Sequence, residues 1–117
     1  MIRRNEERIT DQRENHLGGS GKLTIRHILN TNEELYDNGR TFCHTTIEPG
    51  ASIGYHEHHG EFECYYILKG TAKLCDNGED VILHAGDVAY TPDGCGHGIQ
   101  NVGDEPLEVI ALILFKR

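Results

Sequence analysis

Two stretches decide the reading of this chain: GASIGYHEHHGEFECYYILKG, residues 50–70, and GDVAYTPDGCGHGIQN, residues 86–101. The first offers His56, His58 and Glu63; the second offers His97. Three imidazoles and one carboxylate suit a divalent transition metal. Strand geometry places them further. Side chains alternate faces, so His56 and His58 point one way and Glu57 the other. The His59-Gly60 turn then reverses the chain. Glu63 on the next strand can then face the same interior, with Tyr65 and Ile67 following it on that face. His97 sits after a tight turn, at the start of another strand. A His-x-His pair alone is more often surface polarity; the metal reading depends on Glu63 and His97 joining it.

Outward from these stretches, the chain keeps one rhythm. Its 117 residues suffice for one domain with a single core. Turn signals recur: Asn38-Gly39, Pro49-Gly50, His59-Gly60, Lys69-Gly70, Asn77-Gly78, Ala85-Gly86, Asp93-Gly94 and Gly103-Asp104. Between them lie short segments rich in β-branched and aromatic residues, the pattern of an all-β sandwich or barrel. Asn77-Gly78 is the sharpest turn, because a two-residue hairpin needs positive φ at both positions. In Pro92-Asp93-Gly94 the proline presets φ and the glycine takes the left-handed place. The one helical signal is a single turn within Thr31–Tyr36, capped by Thr31 or Asn32.

The two stretches resemble the paired motifs of the cupin superfamily. Ten spaced positions match: Gly50, His56, His58, Glu63 and Gly70, then Gly86, Pro92, Gly94, His97 and Asn101. Fifteen residues, Thr71–Ala85, separate the motifs, as in small single-domain members. The resemblance implies an antiparallel double-stranded β-helix, or jelly-roll, barrel. It also implies that His56, His58, Glu63 and His97 converge on one metal ion, a step that spacing permits without proving. Relatives with this ligand pattern use iron, manganese, nickel, zinc or copper, and small members commonly pair into homodimers through a sheet. No reaction follows, since the family spans isomerases, dioxygenases, decarboxylases, storage proteins and sugar-binding modules.

The remaining polar residues receive weaker expectations. Glu57 and His59 lack the interior parity. Glu61 shares the parity of Glu63 but lies beside the turn, and is expected at the exposed rim. His44 is a pocket-wall candidate, with Tyr65 and Gln100 as further polar groups. The pocket is expected between Tyr65, Ile67, His44 and the Pro92–His97 turn. His16 and His27 carry no signal, and His84 reads as structural. Cys43, Cys64, Cys75 and Cys95 lack the spacing of a thiolate zinc site and read as free thiols in a reducing cytoplasm. Cys95 shares the parity of His97 and is read as a pocket neighbour or a buried structural thiol.

Composition limits the partners. Nineteen acidic residues against eleven basic ones give a net charge of −8, with no basic stripe for nucleic acid. The longest apolar run, Val109–Phe115, is far too short to span a membrane. That run does not alternate, so one face is expected in the core and the other against the N-terminal segment or a second subunit. Residues 1–22, with alternating charges and the Gly18-Gly19-Ser20-Gly21 linker, read as an arm able to cross to a partner; residues 23–117 form the barrel domain.

Two functional classes remain. One is a metal-dependent enzyme (dioxygenase, decarboxylase or isomerase) using Mn, Fe, Co, Ni or Zn on a small carboxylate, dicarbonyl or sugar derivative. The other is a non-catalytic metal-containing module that binds such a compound. Storage fits poorly with so short a chain.

Overall fold

A computed structural model describes all 117 residues. Ten strands follow in chain order: β1 (Thr10–Glu14), β2 (Lys22–Leu29), β3 (Gly39–Ile47), β4 (Ser52–Glu57), β5 (Glu61–Lys69), β6 (Thr71–Asp76), β7 (Glu79–His84), β8 (Val88–Thr91), β9 (Gly96–Asn101) and β10 (Leu107–Phe115). They form two antiparallel sheets. One has the order β1-β2-β3-β10-β5-β8, the other β4-β9-β6-β7. Three single turns of 3-10 helix complete the chain, one of them at Glu33–Leu35, inside the expected helical turn.

The sheets face each other across one core. Leu23, Ile47, Ile67, Ile99, Leu107 and Val109 have almost no exposure. Each such side chain contributes about 1.5–3 kcal/mol by leaving water. On β3 the inward residues are Cys43, Thr45 and Ile47, all buried. On β10 they are Leu107, Val109, Ala111 and Ile113, while Ile110, Leu112 and Leu114 are only half-buried on the outer face. The run that looked uniformly apolar in sequence is thus an alternating strand with an apolar outer side. No helix is long and apolar enough to cross a membrane.

Turns and loops then bring the two sequence stretches together. Asn77 (φ 49°) and Gly78 (φ 98°) make the two-residue hairpin between the paired residues Asp76 and Glu79. The turn after β4 is laced to the turn before β9: the His58 amide donates to the Cys95 carbonyl (3.0 Å) and the Gly94 amide to the His58 carbonyl (2.7 Å). The Gly60 amide donates to the Asp93 carboxylate at 2.7 Å. Asn101 is buried and holds three backbone groups, donating to the Ile47 (2.9 Å) and Glu105 (2.8 Å) carbonyls and accepting from the Gly103 amide (2.9 Å).

The N-terminal segment lies against its own barrel. β1 pairs with β2 in the register Thr10↔Arg26 to Glu14↔Lys22. The chain then passes along β4 before turning into β2. There the Ser52 amide donates to the Ser20 carbonyl (2.7 Å), and the Ser20 amide to the Ser52 hydroxyl (2.9 Å).

Candidate metal centre

The four expected ligands meet at one point. His56 on β4 stands opposite His97 on β9, and Glu63 on β5 stands opposite Thr91 on β8. His58 follows the last residue of β4 and is held by the laced turns. His97 Nε2 lies 2.8 Å from Glu63 Oε1, 3.1 Å from His58 Nε2 and 3.1 Å from His56 Nε2. His58 Nε2 is 3.0 Å from Glu63 Oε1, and His56 Nε2 is 3.9 Å from it. All four donor atoms lie within 4.8 Å of one another.

The other ring nitrogens explain this orientation. His58 Nδ1 donates to the Glu61 carboxylate at 2.6 Å, and His56 Nδ1 to the Gly54 carbonyl at 2.8 Å. His97 Nδ1 meets the Thr91 hydroxyl at 2.8 Å. Carboxylate and carbonyl only accept, so those Nδ1 atoms carry the protons and the Nε2 lone pairs face inward. Converging lone pairs and a carboxylate repel unless a cation or protons sit between them. Neighbouring ligands bound at about 2.1 Å at right angles stand roughly 3 Å apart, as most of these pairs do. The donor set therefore fits one divalent ion.

Without an ion, protons partly take that role. Burial alone would raise the Glu63 pKa; the imidazoles of His56, His58 and His97 around it outweigh that effect and hold the carboxyl well below its usual range. The hydrogen bond to Glu63 raises the His58 pKa against the effect of burial, and Glu61 adds to the rise.

Glu61 corrects the sequence reading. It is 9% exposed, not at an open rim. Its carboxylate takes two hydrogen bonds from Arg40 (2.8 and 2.7 Å) besides the one from His58. Arg40 first, then His58, lowers its pKa against burial. Its parity with Glu63 was visible; what hid the role was Arg40, 21 residues away, which neutralises the charge.

A cavity of about 340 Å³ opens beside the cluster. His56, His58, Glu63 and Tyr65 line its floor, with His97 fully buried behind them. Ile25, Ile47, Ile53, Ile99, Val109 and Ile113 make its apolar walls, and Thr41, Cys43 and Thr45 add small polar atoms. Burial pushes the Cys43 thiol up to about 11, so it stays protonated. Tyr65 stacks on His97 with ring centroids 4.8 Å apart. Burial, then the charge of Glu63, holds its phenol well above the ordinary value.

Other expectations about the pocket fail. His44 points to the outer face, 3.4 Å from Glu108, because Cys43 and Thr45 take the inner positions. Ile67 belongs to the core, and Gln100 lies in a shallow groove on the outside of the smaller sheet. Cys95 is half-buried, does not line the cavity, and serves through its carbonyl. Asp11, Arg13, His16, Leu17 and His27 do line it, together with Arg40. His27 is engaged by Asp11 at 3.0 Å. Sequence offered no signal for these residues: Asp11 and Arg13 share one face of β1, and Ile25 and His27 one face of β2, but no hydropathy contrast marks which face turns to the cavity.

Fold and cluster together define a small β-barrel with a four-residue group able to hold a metal ion at the floor of a pocket. The family model described as "Cupin domain" matches residues 43–113, and the chain belongs to the cupin family. It is 40% identical, over 97% of its length and 93% of the relative's, to a protein named oxalate-binding protein from Thermotoga maritima. A crystal structure described as a predicted oxalate decarboxylase from Thermotoga maritima superposes with a TM-score of 0.94 at 40% identity, covering 99% of this chain and 100% of that one. The chain is also 38% identical over 61% of its length to an oxalate decarboxylase of Bacillus subtilis, but spans only 19% of that protein.

Proposed function

We propose that this cupin holds one divalent transition metal through His56, His58, Glu63 and His97 and binds a small dicarboxylate of the oxalate type upon it. The convergence of four donor atoms at the floor of a cavity with apolar walls and a polar side carries this reading. The relative named for oxalate binding supports the ligand class. Manganese, iron, cobalt, nickel and zinc all accept such nitrogen and oxygen donors. When bound, the ion supplies a Lewis-acid template for a chelating pair of oxygens. The cavity volume falls at the low end for small-molecule sites, which run to about 300–1,000 Å³. The chain's own groups orient and shield. Glu61, Thr91 and the Gly54 carbonyl fix the imidazoles. The isoleucine walls keep bulk water out, and the protonated Tyr65 phenol offers a donor at the floor.

Binding without turnover is favoured over catalysis. Two carboxylates line the cavity; Glu63 is assigned to the metal and Asp11 is paired with His27, which leaves neither free for proton transfer. The likeness to decarboxylases favours the second reading, in which oxalate is cleaved to carbon dioxide and, after protonation, formate. Dioxygenase or isomerase chemistry draws support from the metal set alone. A cytoplasmic homodimer, acting on a small molecule and not on nucleic acid or membrane, completes the proposal.

The test starts with elemental analysis of protein purified without a histidine tag or chelators. Calorimetric titration with oxalate and an assay for formate and carbon dioxide then follow. One metal per chain, saturable oxalate binding lost on metal removal, and no product are expected. Product formation would make the protein a decarboxylase; absence of metal would refute both readings.

A further inference from the structure

Beyond the metal cluster, one wall of the cavity comes from a backbone strap, residues 15–21, between β1 and β2. Asn15 and Leu17 both hold φ near 53°, a left-handed conformation that side-chain-bearing residues rarely adopt. Such conformations persist where surrounding contacts enforce them and cluster at functional sites. Here the enforcing contact is with β4. A Cβ on Gly19 would run into the Ser52 carbonyl and the Gly54 amide, and a Cβ on Gly54 into the Leu17 carbonyl and the Gly19 amide. Both glycines are needed for the two backbones to lie this close. The Ser20–Ser52 hydrogen bonds fasten the same contact.

The strap brings His16 to the cavity shared by His56, His58 and Glu63. The other histidines there have fixed partners: His27 on Asp11, His56 on the Gly54 carbonyl, His58 on Glu61. The His16 ring has none within the chain. Burial, then Arg13 and His56, lowers its pKa, which favours the neutral ring with one N–H to donate.

A chelated dicarboxylate gives two oxygens to the ion and turns the other two away from it. The isoleucine walls cannot pair those oxygens, while Arg40 is held by Glu61 and both Arg13 and His27 face Asp11; an unpaired buried carboxylate oxygen is costly. We propose that His16 is a specificity-determining residue, whose ring donates a hydrogen bond to a ligand oxygen facing away from the metal, and that the strap serves to hold it there. This rests on the metal-chelate reading given above.

Two chelators separate the possibilities: oxalate, with two oxygens to spare, and acetohydroxamate, which commits both of its oxygens to the metal. Their affinities are measured by calorimetry on the Mn(II)-loaded protein. His16→Ala is expected to weaken oxalate roughly tenfold, the scale of one hydrogen bond to a charged group, and to leave acetohydroxamate and Mn(II) affinity unchanged. His16→Gln, which keeps an N–H donor, is expected to restore most of the oxalate affinity. Gly19→Ala, which forces the strap off β4, is expected to reproduce His16→Ala. Unchanged oxalate affinity in His16→Ala, or equal weakening of both chelators, overturns the role of His16 alone. If the loaded wild-type protein binds neither chelator, the metal-chelate reading falls and this inference falls with it.

Discussion

Glu61 is the residue on which the geometry of the cluster turns. It grips His58 Nδ1 on one side and the Arg40 guanidinium on the other, so one ligand ring is oriented from a bridge anchored at the protein surface. Partners of this kind typically change metal affinity by about 10–100-fold when removed. Glu61→Gln, which keeps shape but loses charge, is expected to weaken Mn(II) or Co(II) binding at the lower end of that range, in a chelator competition, with the circular dichroism of the barrel preserved. The pH dependence also follows from individual groups. The folded pKa of His58 lies above its ordinary 6.5, so its contribution to metal-free stability is complete below 6.5 and is lost as pH rises through the folded value. Glu61 and Glu63 lie below their ordinary 4.5, so their contribution is present above 4.5 and is lost as pH falls through their folded values. Metal-free protein is therefore expected to melt highest in the window between 4.5 and 6.5. Bound metal needs a neutral His58, so the loaded protein is expected to gain most above that window. A metal-free optimum near neutral or alkaline pH in thermal melts would contradict this assignment. At this scale sequence was a good guide to which four side chains converge and a poor one to their neighbours. The convergence of the four donors was implied by the cupin resemblance and permitted by motif spacing, whereas Glu61 and His44 were misplaced because partners distant in sequence decide burial.

Strand alternation carried most of the architecture that sequence could show. The Asn77-Gly78 hairpin, the turn at Pro92–Gly94 and the interior parity of His56 and Glu63 all hold in the structure. On β3, Ile47 shares parity with Cys43 and Thr45, so the core position of Ile47 already contains the outward direction of His44; only the pairing with β2 and β10 made that parity readable. The exit from β9 depends likewise on a long-range polar anchor. Asn101 ends that strand and satisfies two carbonyls and one amide in a buried place. Asn101→Ala leaves those groups unpaired and is expected to cost about 2–4 kcal/mol: about 1–3 for the buried Ile47 carbonyl, and less for the part-buried Glu105 carbonyl and Gly103 amide, which water can reach. Urea denaturation of the metal-free protein measures it; a loss below 0.5 kcal/mol would mean that water replaces the amide.

For the whole molecule, the outer face of the larger sheet is the feature most in need of a partner. Ile110, Leu112 and Leu114 of β10 stand beside Phe62, Cys64 and Tyr66 of β5, and these beside Val88 and Tyr90 of β8. Tyr66, Val88 and Tyr90 are 43%, 62% and 58% exposed, an apolar surface of the sort that marks association sites. A homodimer through this face is expected, with light scattering giving twice the chain mass at micromolar concentration. Leu112→Glu is expected to yield monomers that still bind metal; a wild-type monomer would refute the assignment. The apolar run of β10 announced this face in sequence. The inward packing of residues 10–21 went unannounced, since the segment is polar and is placed by backbone contacts that no hydropathy pattern records.

The ligand cluster also joins the two sheets. The imidazoles belong to β4, the turn after it and β9, while Glu63 belongs to β5 in the opposite sheet. An ion seated there would act as a rivet. His56 and His97 lie 41 residues apart, so the unfolded chain keeps only the local group of His56, His58 and Glu63, without His97, with which to hold metal. The ion would thus find its site only after the barrel had closed, contributing little to the rate of folding. Its effect would fall on the reverse step, where the sheets cannot part until a ligand lets go, and a loaded protein would outlast its metal-free form chiefly by unfolding more slowly.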